Sequence, residues 1–188
     1  MSMALSTLEE GPTAPWESIR LLMRRPWLDD LPPLAPLPDG ACLRLYELRD
    51  LTALVTLLTR AFVTPWSESG VRRELTEAPD VAAVYVVALD DRVIATASAK
   101  LAPDTFPGAG YVHWVAADPE YQGKGLGALV TIRVLQHFRD TGFQEAVLET
   151  HNFRVQAQRS YLRLGFVPEY RDRAEQLRWA RVLPQHIR

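Results

Sequence analysis

The segment from Trp114 to Ala128 reads "WVAADPEYQGKGLGA" and carries the strongest pattern in this 188-residue chain. It starts as an apolar run, turns at Asp-Pro, and then places Gly123, Gly125 and Gly127 within five residues. Glycines that open a helix let its unpaired backbone N–H groups approach an anion without a Cβ in the way. With the mobile charge of Lys124, the segment predicts a phosphate-binding loop between a strand and a helix.

Two other interpretations of these glycines remain open. They could serve only the close packing of a helix start on the sheet, although each helical glycine costs roughly 1 kcal/mol relative to alanine. Alternatively, Gly123, Gly125 and Ala128 satisfy G-x-G-x-x-G/A, and Glu149 lies near the position of a ribose-binding acid. That pattern would indicate a nicotinamide-nucleotide-dependent oxidoreductase. Against it, the five residues "DPEYQ" separate strand from glycine, whereas the dinucleotide fingerprint turns directly from strand into helix.

Hydrophobic periodicity around this segment predicts an α/β (α+β) fold with a mixed sheet. The predicted strands are 41–48, a hairpin over 81–101 joined at Asp90-Asp91, then 111–117, 144–150, 165–170 and 177–183. The predicted helices are 50–62, 67–78 with Ser67 as N-cap, 125–140 and 154–164. This adds up to about seven strands flanked by about four helices.

Residues 1–40 differ in composition from residues 41–188, which we take as the folded domain. The run "PPLAPLP" at 32–38 favours extended structure, and a short helix is expected in 16–25, ended by Pro26. We interpret 1–40 as a proline-rich arm that packs on the domain or mediates assembly. A loosely ordered tail is an equally acceptable interpretation.

Composition excludes several classes of protein. The net charge is −2 without a basic run, which argues against a nucleic-acid surface. A single cysteine, Cys42, excludes an intramolecular disulfide and a cysteine-based metal site. No apolar run reaches the length of a membrane span, and the N-terminus does not resemble a signal peptide. We therefore expect a cytoplasmic protein without metal, membrane or nucleic-acid partner.

The glycine segment resembles the acyl-CoA-binding motif of the GNAT superfamily of N-acetyltransferases. In that family an apolar strand and an Asp-Pro-type turn precede Arg/Gln-x-x-Gly-x-Gly/Ala at the start of a helix. The resemblance implies that Val115, Ala116 and Ala117 pair with the pantetheine arm of CoA. It also implies a loop around the CoA pyrophosphate, made of Gln122, Gly123, Lys124, Gly125, Leu126, Gly127 and Ala128.

A second motif of the same family follows downstream. GNAT proteins often carry N-x-x-A-x-x-x-Y-x-x-x-G-F, and this chain has Ala157, Tyr161 and Gly165-Phe166 at that spacing. Arg154 stands at the asparagine position, and the nearest asparagine is Asn152. Asn152 and Arg154 are therefore the candidates for the cofactor contact on this side, although Arg154 could instead contact the substrate or be a solvated helix residue.

The resemblance implies transfer of an acetyl or short acyl group from acetyl-CoA to a primary amine, by direct attack in a ternary complex. Tyr161 matches the family tyrosine that protonates the CoA thiolate, although a core tyrosine would give the same pattern. His113 is the candidate base because an imidazole titrates in the useful range, with a purely structural histidine as the alternative. Glu149 and His151 are the reserve bases.

The acceptor is not identified by the sequence. The resemblance implies an acceptor site lined by the first helices and the final hairpin, which suggests Phe62, Trp66, Arg72 and residues near Trp179. A homodimer is also possible, since many members of the family dimerise. The alternative from another class is a CoA-binding sensor or regulatory module without turnover.

Overall fold

The computed structural model describes residues 20–62 and 64–182. In this part of the chain, a seven-stranded mixed sheet forms the centre, in the order β2-β3-β4-β5-β6-β1-β7. All neighbours pair antiparallel except β5 and β6, which are parallel. The strands are β1 Arg20–Arg25, β2 Ala41–Leu45, β3 Val81–Leu89, β4 Arg92–Leu101, β5 Ala109–Ala117, β6 Glu145–His151 and β7 Val167–Pro168.

Five α-helices cover this sheet. They are α1 Leu51–Phe62, α2 Glu68–Val71, α3 Leu126–Asp140, α4 Val155–Arg163 and α5 Arg173–Val182, and a π-helical turn, Arg72–Thr76, extends α2. Ser67 caps α2 as predicted, because its hydroxyl accepts a hydrogen bond from the Gly70 N–H at 3.1 Å. The predicted helices at 50–62, 125–140 and 154–164 are confirmed within two residues at each end.

The core has a helix layer on each face of the sheet. One cluster joins α3 to the central strands, and a second joins α1 and α2 to the other face. Phe138 of α3 is fully buried, and a Cβ at Gly110 of β5 would lie 2.4 Å from its ring. Gly110 is therefore required for the close approach of α3 to β5. This close packing determines the position of α3, the helix that begins at the glycine loop.

Two sequence predictions about the ends of the chain are wrong. Residues 177–182 continue helix α5 instead of forming a strand, because Glu175, Trp179 and Val182 are buried at helical spacing. Residues 20–25 form strand β1 instead of the end of a helix. The apolar run from Leu21 to Met23 is buried on both faces, and such a strand shows no alternation.

The sheet has seven strands as predicted, but not all of the segments that form them are the predicted ones. β1 lies between β6 and β7, with Met23 opposite Leu148 on one side and Pro168 on the other. The described part of the predicted arm therefore contributes a strand to the sheet, and residues 1–19 lie outside the described residues. Trp179 connects α5 to β1, because its indole N–H (Nε1) donates a hydrogen bond to the backbone carbonyl of Leu22 at 3.1 Å.

Candidate active site

The site begins where the two parallel strands separate. β5 and β6 pair only from Ala109 opposite Glu145 to Val112 opposite Leu148. Beyond these pairs both strands continue, β5 to Ala117 and β6 to His151, without pairing with each other. A gap therefore opens at the carboxyl ends of neighbouring parallel strands, which is where ligands bind in open α/β sheets.

An irregularity in β5 accompanies this gap. Ser98 lies opposite His113, but Thr96 lies opposite Ala116, so β5 carries one extra residue. After the bulge, the Asp118 N–H donates to the Ile94 carbonyl on β4 at 2.8 Å. Because hydrogen bonding alternates along a strand, the N–H of Ala117 faces the opposite edge, from which β6 has departed.

Trp114 holds the bulge in place. Its φ of +46° is a left-handed backbone angle that costs a bulky residue roughly 1–3 kcal/mol. The indole packs edge-on against Phe62 and Trp66, at centroid distances of 5.0 and 4.7 Å. These aromatic contacts connect the bulge to α1 and to the start of α2, so the backbone distortion is stabilised by the tertiary structure.

Two adjoining cavities occupy the gap. The first has a volume of about 210 Å³ and is lined by residues that include His113, Trp114, Glu149, His151, Phe62 and Tyr161. The second, of about 180 Å³, lies along the free edge of β5 and reaches the glycine loop, where its lining includes Val115, Ala116, Ala117, Gly127 and Ser160. Arg154, Ala157, Val115 and Tyr161 line both cavities.

The glycine loop leaves space that no described protein atom fills. Gly123 and Gly125 have φ values of +80° and +73°, so both positions require a left-handed backbone. Gly127 is helical, yet a Cβ on any of these three glycines would meet nothing within 4 Å. The packing interpretation of the glycines is therefore wrong, and Gly127 opens directly onto the second cavity.

Gly125 is the N-cap of α3 and provides no side-chain cap. The first N–H groups of this fifteen-residue helix therefore remain available at the positive end of its dipole. Leu126 is buried, so only its backbone faces the loop, whereas Gln122 and Lys124 are exposed beside it. The Lys124 ammonium lies 5.0 Å from the centroid of the Tyr121 ring.

A network of four charged side chains anchors the turn that precedes the loop. The buried Asp118 carboxylate accepts from Arg60 at 3.0 Å and from Arg92 at 2.8 Å. Glu120 accepts from the same two arginines at 2.9 Å each, and Arg92 and then Arg60 lower the pKa of its carboxyl group. The network ties the turn to α1 and β4, and no motif in the sequence indicated it.

Tyr161 lies on α4 with its ring against Phe166, at a centroid distance of 5.9 Å. Burial raises the pKa of Tyr161 to about 12. Its hydroxyl makes no hydrogen bond with another residue among those the structure describes. The phenol is therefore a neutral donor at any working pH, placed where the two cavities meet.

His113 lies on β5 between the rings of Tyr111 and Trp114, at centroid distances of 5.4 and 5.3 Å. Burial, assisted by the nearby Lys100 ammonium, lowers the pKa of His113 to about 4. Its Nδ1 is buried and has no hydrogen-bond partner among the described residues. The imidazole is therefore neutral at neutral pH.

This lowered pKa predicts an acid-sensitive stability. The unfolded chain protonates His113 below about pH 6.5, whereas the folded protein resists protonation until about pH 4, so stability falls as the pH drops through this window. We expect His113 to account for a loss of about 3 kcal/mol between these limits. Denaturant unfolding at pH 7.5 and pH 4 should show a smaller difference for His113→Gln than for the parent protein. His137→Gln serves as the control for removing a less buried histidine.

The two reserve bases also line the first cavity. The Glu149 carboxylate accepts a hydrogen bond from the Tyr111 hydroxyl at 3.2 Å and from Arg20 at 3.3 Å. His151 stacks on Phe153, and burial lowers its pKa, with Arg154 as the next cause. The structure thus brings the three candidate bases to one cavity, whose wall includes Arg20, a residue that sequence reasoning had placed in the arm.

The two candidates at the start of α4 are placed differently. Asn152 lines neither cavity, and its backbone carbonyl accepts from the Gln158 side chain at 3.0 Å. Arg154 lines both cavities, and its guanidinium lies 4.5 Å from the centroid of the Phe62 ring. Burial lowers the pKa of Arg154.

The residues suggested for the acceptor side are only partly brought together. Phe62 lines the first cavity, and Trp66 supports it indirectly through Trp114. Arg72 pairs instead with Glu77 at 2.7 Å, and Trp179 is part of the core.

The splayed parallel strands, the uncapped start of α3 behind the glycine loop and the buried Tyr161 together define a class: an open-sheet α/β fold with a gap between its two parallel strands. Residues 51–166 match the Acetyltransferase (GNAT) family. The chain belongs to this family, which confirms the predicted fold and enzyme class. The dinucleotide-binding fold is wrong, because the described sheet contains a single parallel pair.

Curated relatives agree with this assignment. The chain is 34% identical over 155 residues to a mycothiol acetyltransferase of Thermomonospora curvata, covering 79% of this chain and 51% of that protein. It is 35% identical over 153 residues to a mycothiol acetyltransferase of Actinosynnema mirum, covering 77% and 50%. The chain therefore spans about half the length of these relatives.

Solved structures agree on the fold. A GCN5-related N-acetyltransferase from Sphaerobacter thermophilus has a TM-score of 0.62 at 19% identity, covering 80% of this chain and 48% of that one. A GNAT-family acetyltransferase from Colwellia psychrerythraea has a TM-score of 0.63 at 16% identity, covering 79% and 52%.

Among the described residues, no cluster of His, Cys, Asp or Glu is suited to hold a metal ion. Nor does any helix within residues 20–62 and 64–182 have the length and apolar character needed to cross a bilayer.

Proposed function

We propose that this protein transfers an acetyl group, or a short acyl group, from acetyl-CoA to a primary amine by direct attack in a ternary complex. The observation that carries the proposal is the continuous space from Gly127 along the free edge of β5 to Tyr161. Such a channel matches a ligand with phosphates at one end and a reactive group at the other. The family match makes acetyl-CoA the natural candidate.

In this proposal the CoA pyrophosphate binds the N–H groups of Gly123 and of residues 125–128, with the side chains of Gln122 and Lys124 beside it. The pantetheine arm follows Val115, Ala116 and Ala117, whose free edge supplies backbone groups for its amides. At the start of α4, Arg154 lines both cavities and lies between the cofactor and the acceptor, whereas Asn152 lines neither cavity. An N–H on the free edge, such as that of Ala117, is available to the thioester carbonyl oxygen.

The chemistry needs one proton removed and one supplied. The amine nitrogen forms a bond to the acetyl carbon, the carbon–sulfur bond breaks, and the CoA thiolate takes a proton from the Tyr161 hydroxyl. His113 accepts the proton that the amine loses. Because burial weakens this base, it suits the nitrogen of the tetrahedral adduct, which is more acidic than a free ammonium ion. Glu149 and His151 are the reserves in the same cavity.

Direct attack is favoured by the position of the single cysteine. Cys42 is exposed on β2 and lies in a separate depression with Arg44, Asp90 and Asp91. No thiol is therefore available at the gap to carry an acetyl intermediate. A free exposed thiol also suits a reducing compartment, so we place the protein in the cytoplasm.

The candidate acceptors are small-molecule amines, protein N-termini and lysine side chains. Because the curated relatives are named mycothiol acetyltransferases, a mycothiol-type amine should be among the acceptors tested. We propose no membrane or nucleic-acid partner. A homodimer, with the proline-rich arm of residues 1–40 as part of its interface, is the remaining assembly proposal.

Calorimetric titration with acetyl-CoA, CoA and NADPH tests the cofactor. We expect micromolar binding of acetyl-CoA and CoA and none of NADPH. Gly125→Asp should abolish binding, because it brings a negative charge and a Cβ to a left-handed position at the phosphate site. Gly142→Asp, at a similar backbone angle beyond the far end of α3, is the matched control and should bind normally. Binding of NADPH alone would refute the proposed cofactor.

A further inference from the structure

Arg154 is a cation without a counter-ion beside the reacting groups. Its guanidinium lies over the Phe62 ring, and no carboxylate among the described residues forms an ion pair with it. The two arginines of the loop network, Arg60 and Arg92, each bind two carboxylates. Burying a charge is costly unless it is paired, and the lowered pKa of Arg154 reflects that cost.

The other ionisable groups of the first cavity do not offset this charge. The Arg20 guanidinium and the Glu149 carboxylate form an ion pair at 3.3 Å, so their charges cancel. His113 is neutral, and burial lowers the pKa of His151 as well. The described side chains therefore leave one net positive charge in the cavity, which would repel an acceptor that carries only an ammonium group.

The cofactor does not supply the missing anion at this point. Arg154 lines both cavities, but Phe62, over which its guanidinium lies, lines the first and not the second, which contains Gly127. The phosphates of CoA belong at the glycine loop, and the pantetheine and thioester expected in the gap are uncharged. The N-cap residue of α4, Arg154 itself, also provides no side-chain cap. The positive end of the α4 dipole therefore adds to the positive charge at this point and favours an anion there.

We propose that Arg154 binds an anionic group of the acceptor, so that the substrate class is a small amine carrying a carboxylate or phosphate. This inference rests on the proposed function and changes the role of Arg154 from the cofactor to the acceptor. A guanidinium forms two parallel hydrogen bonds to either group. The cavity of about 210 Å³ is several times the roughly 30 Å³ that one water occupies, which suits an acceptor of amino-acid size.

Matched amines test this assignment. We would compare kcat/KM for 3-aminopropanoate with that for propylamine, and for O-phosphoethanolamine with that for ethanolamine. We expect at least one anionic amine to be preferred about tenfold or more over its neutral partner, and the comparison between pairs distinguishes carboxylate from phosphate. Arg154→Gln should reduce the preference to about twofold, and Arg154→Lys should restore part of it. Arg163→Gln, exposed on the same helix, should leave it unchanged.

A second readout separates this inference from the proposed function. The Kd of acetyl-CoA, measured by calorimetry, should be the same for Arg154→Gln and the parent protein. A tenfold weaker Kd would assign Arg154 to the cofactor and overturn the inference. So would the absence of any anionic preference in turnover or, where turnover is absent, in binding of the four amines to the CoA complex. If the parent protein binds no acetyl-CoA, the proposed function itself fails.

Discussion

Gly127→Leu should strongly weaken acetyl-CoA binding while leaving the fold at least as stable. The new side chain meets no protein atom near its Cβ and projects into the second cavity, where the pyrophosphate is expected. We expect the Kd to rise about a hundredfold, a loss of roughly 2.7 kcal/mol. Replacing a helical glycine with leucine gains up to about 1 kcal/mol, so the melting temperature should stay level or rise by up to roughly 3 °C.

Gly127→Ala is the matched control for this prediction. Alanine brings the same gain in helix propensity without the bulk, and the family pattern allows either residue at this position. Its Kd for acetyl-CoA should stay within about threefold of the parent value, because a single methyl group does not fill the channel. If the leucine variant binds acetyl-CoA as tightly as the alanine variant, the space above Gly127 does not belong to the cofactor. A leucine variant with a lower melting temperature would show that the space is not open.

The residues proposed to bind the cofactor could be selected from the sequence because their geometry is local. Gly125 and Gly127 act through the backbone of one turn, so their spacing to the preceding strand already defines the loop. The same holds for Tyr161, whose separation from Gly165-Phe166 is fixed by a single helix. In each case the residues that matter lie within one strand–loop–helix unit.

The acceptor half could not be predicted because it is assembled from distant segments. Arg20 reaches Glu149 only because β1 pairs with β6, and the apolar run of three residues in β1 is too short to show a period that favours strand over helix. Trp114 adopts a left-handed backbone angle that its own residue type disfavours. The distortion depends on Phe62 and Trp66, which come from other elements.

Tyr161→Phe should lower kcat by a factor of about a hundred or more, the usual contribution of a positioned general acid. The Kd of acetyl-CoA should change by less than about twofold, because the aromatic ring still fills its place against Phe166. Stability should not fall, since the lost hydroxyl makes no hydrogen bond within the described part of the protein. Single-turnover kinetics with saturating acetyl-CoA would measure the chemical step directly. Tyr85→Phe is the matched control, because Tyr85 is also buried but lies away from the site, where its hydroxyl forms a hydrogen bond with His137.

The pH dependence adds an independent check on this role. An ordinary tyrosine is half-ionised near pH 10, whereas the pKa of Tyr161 is raised to about 12 by its burial. The Tyr161 hydroxyl therefore keeps its proton, and its ionisation should cause no decline of kcat up to about pH 10.5. The phenylalanine variant should show the same flat profile at a much lower level. Normal turnover by that variant would assign Tyr161 to the core, and acetyl-CoA binding without turnover by the parent protein would favour a CoA-binding sensor over an enzyme.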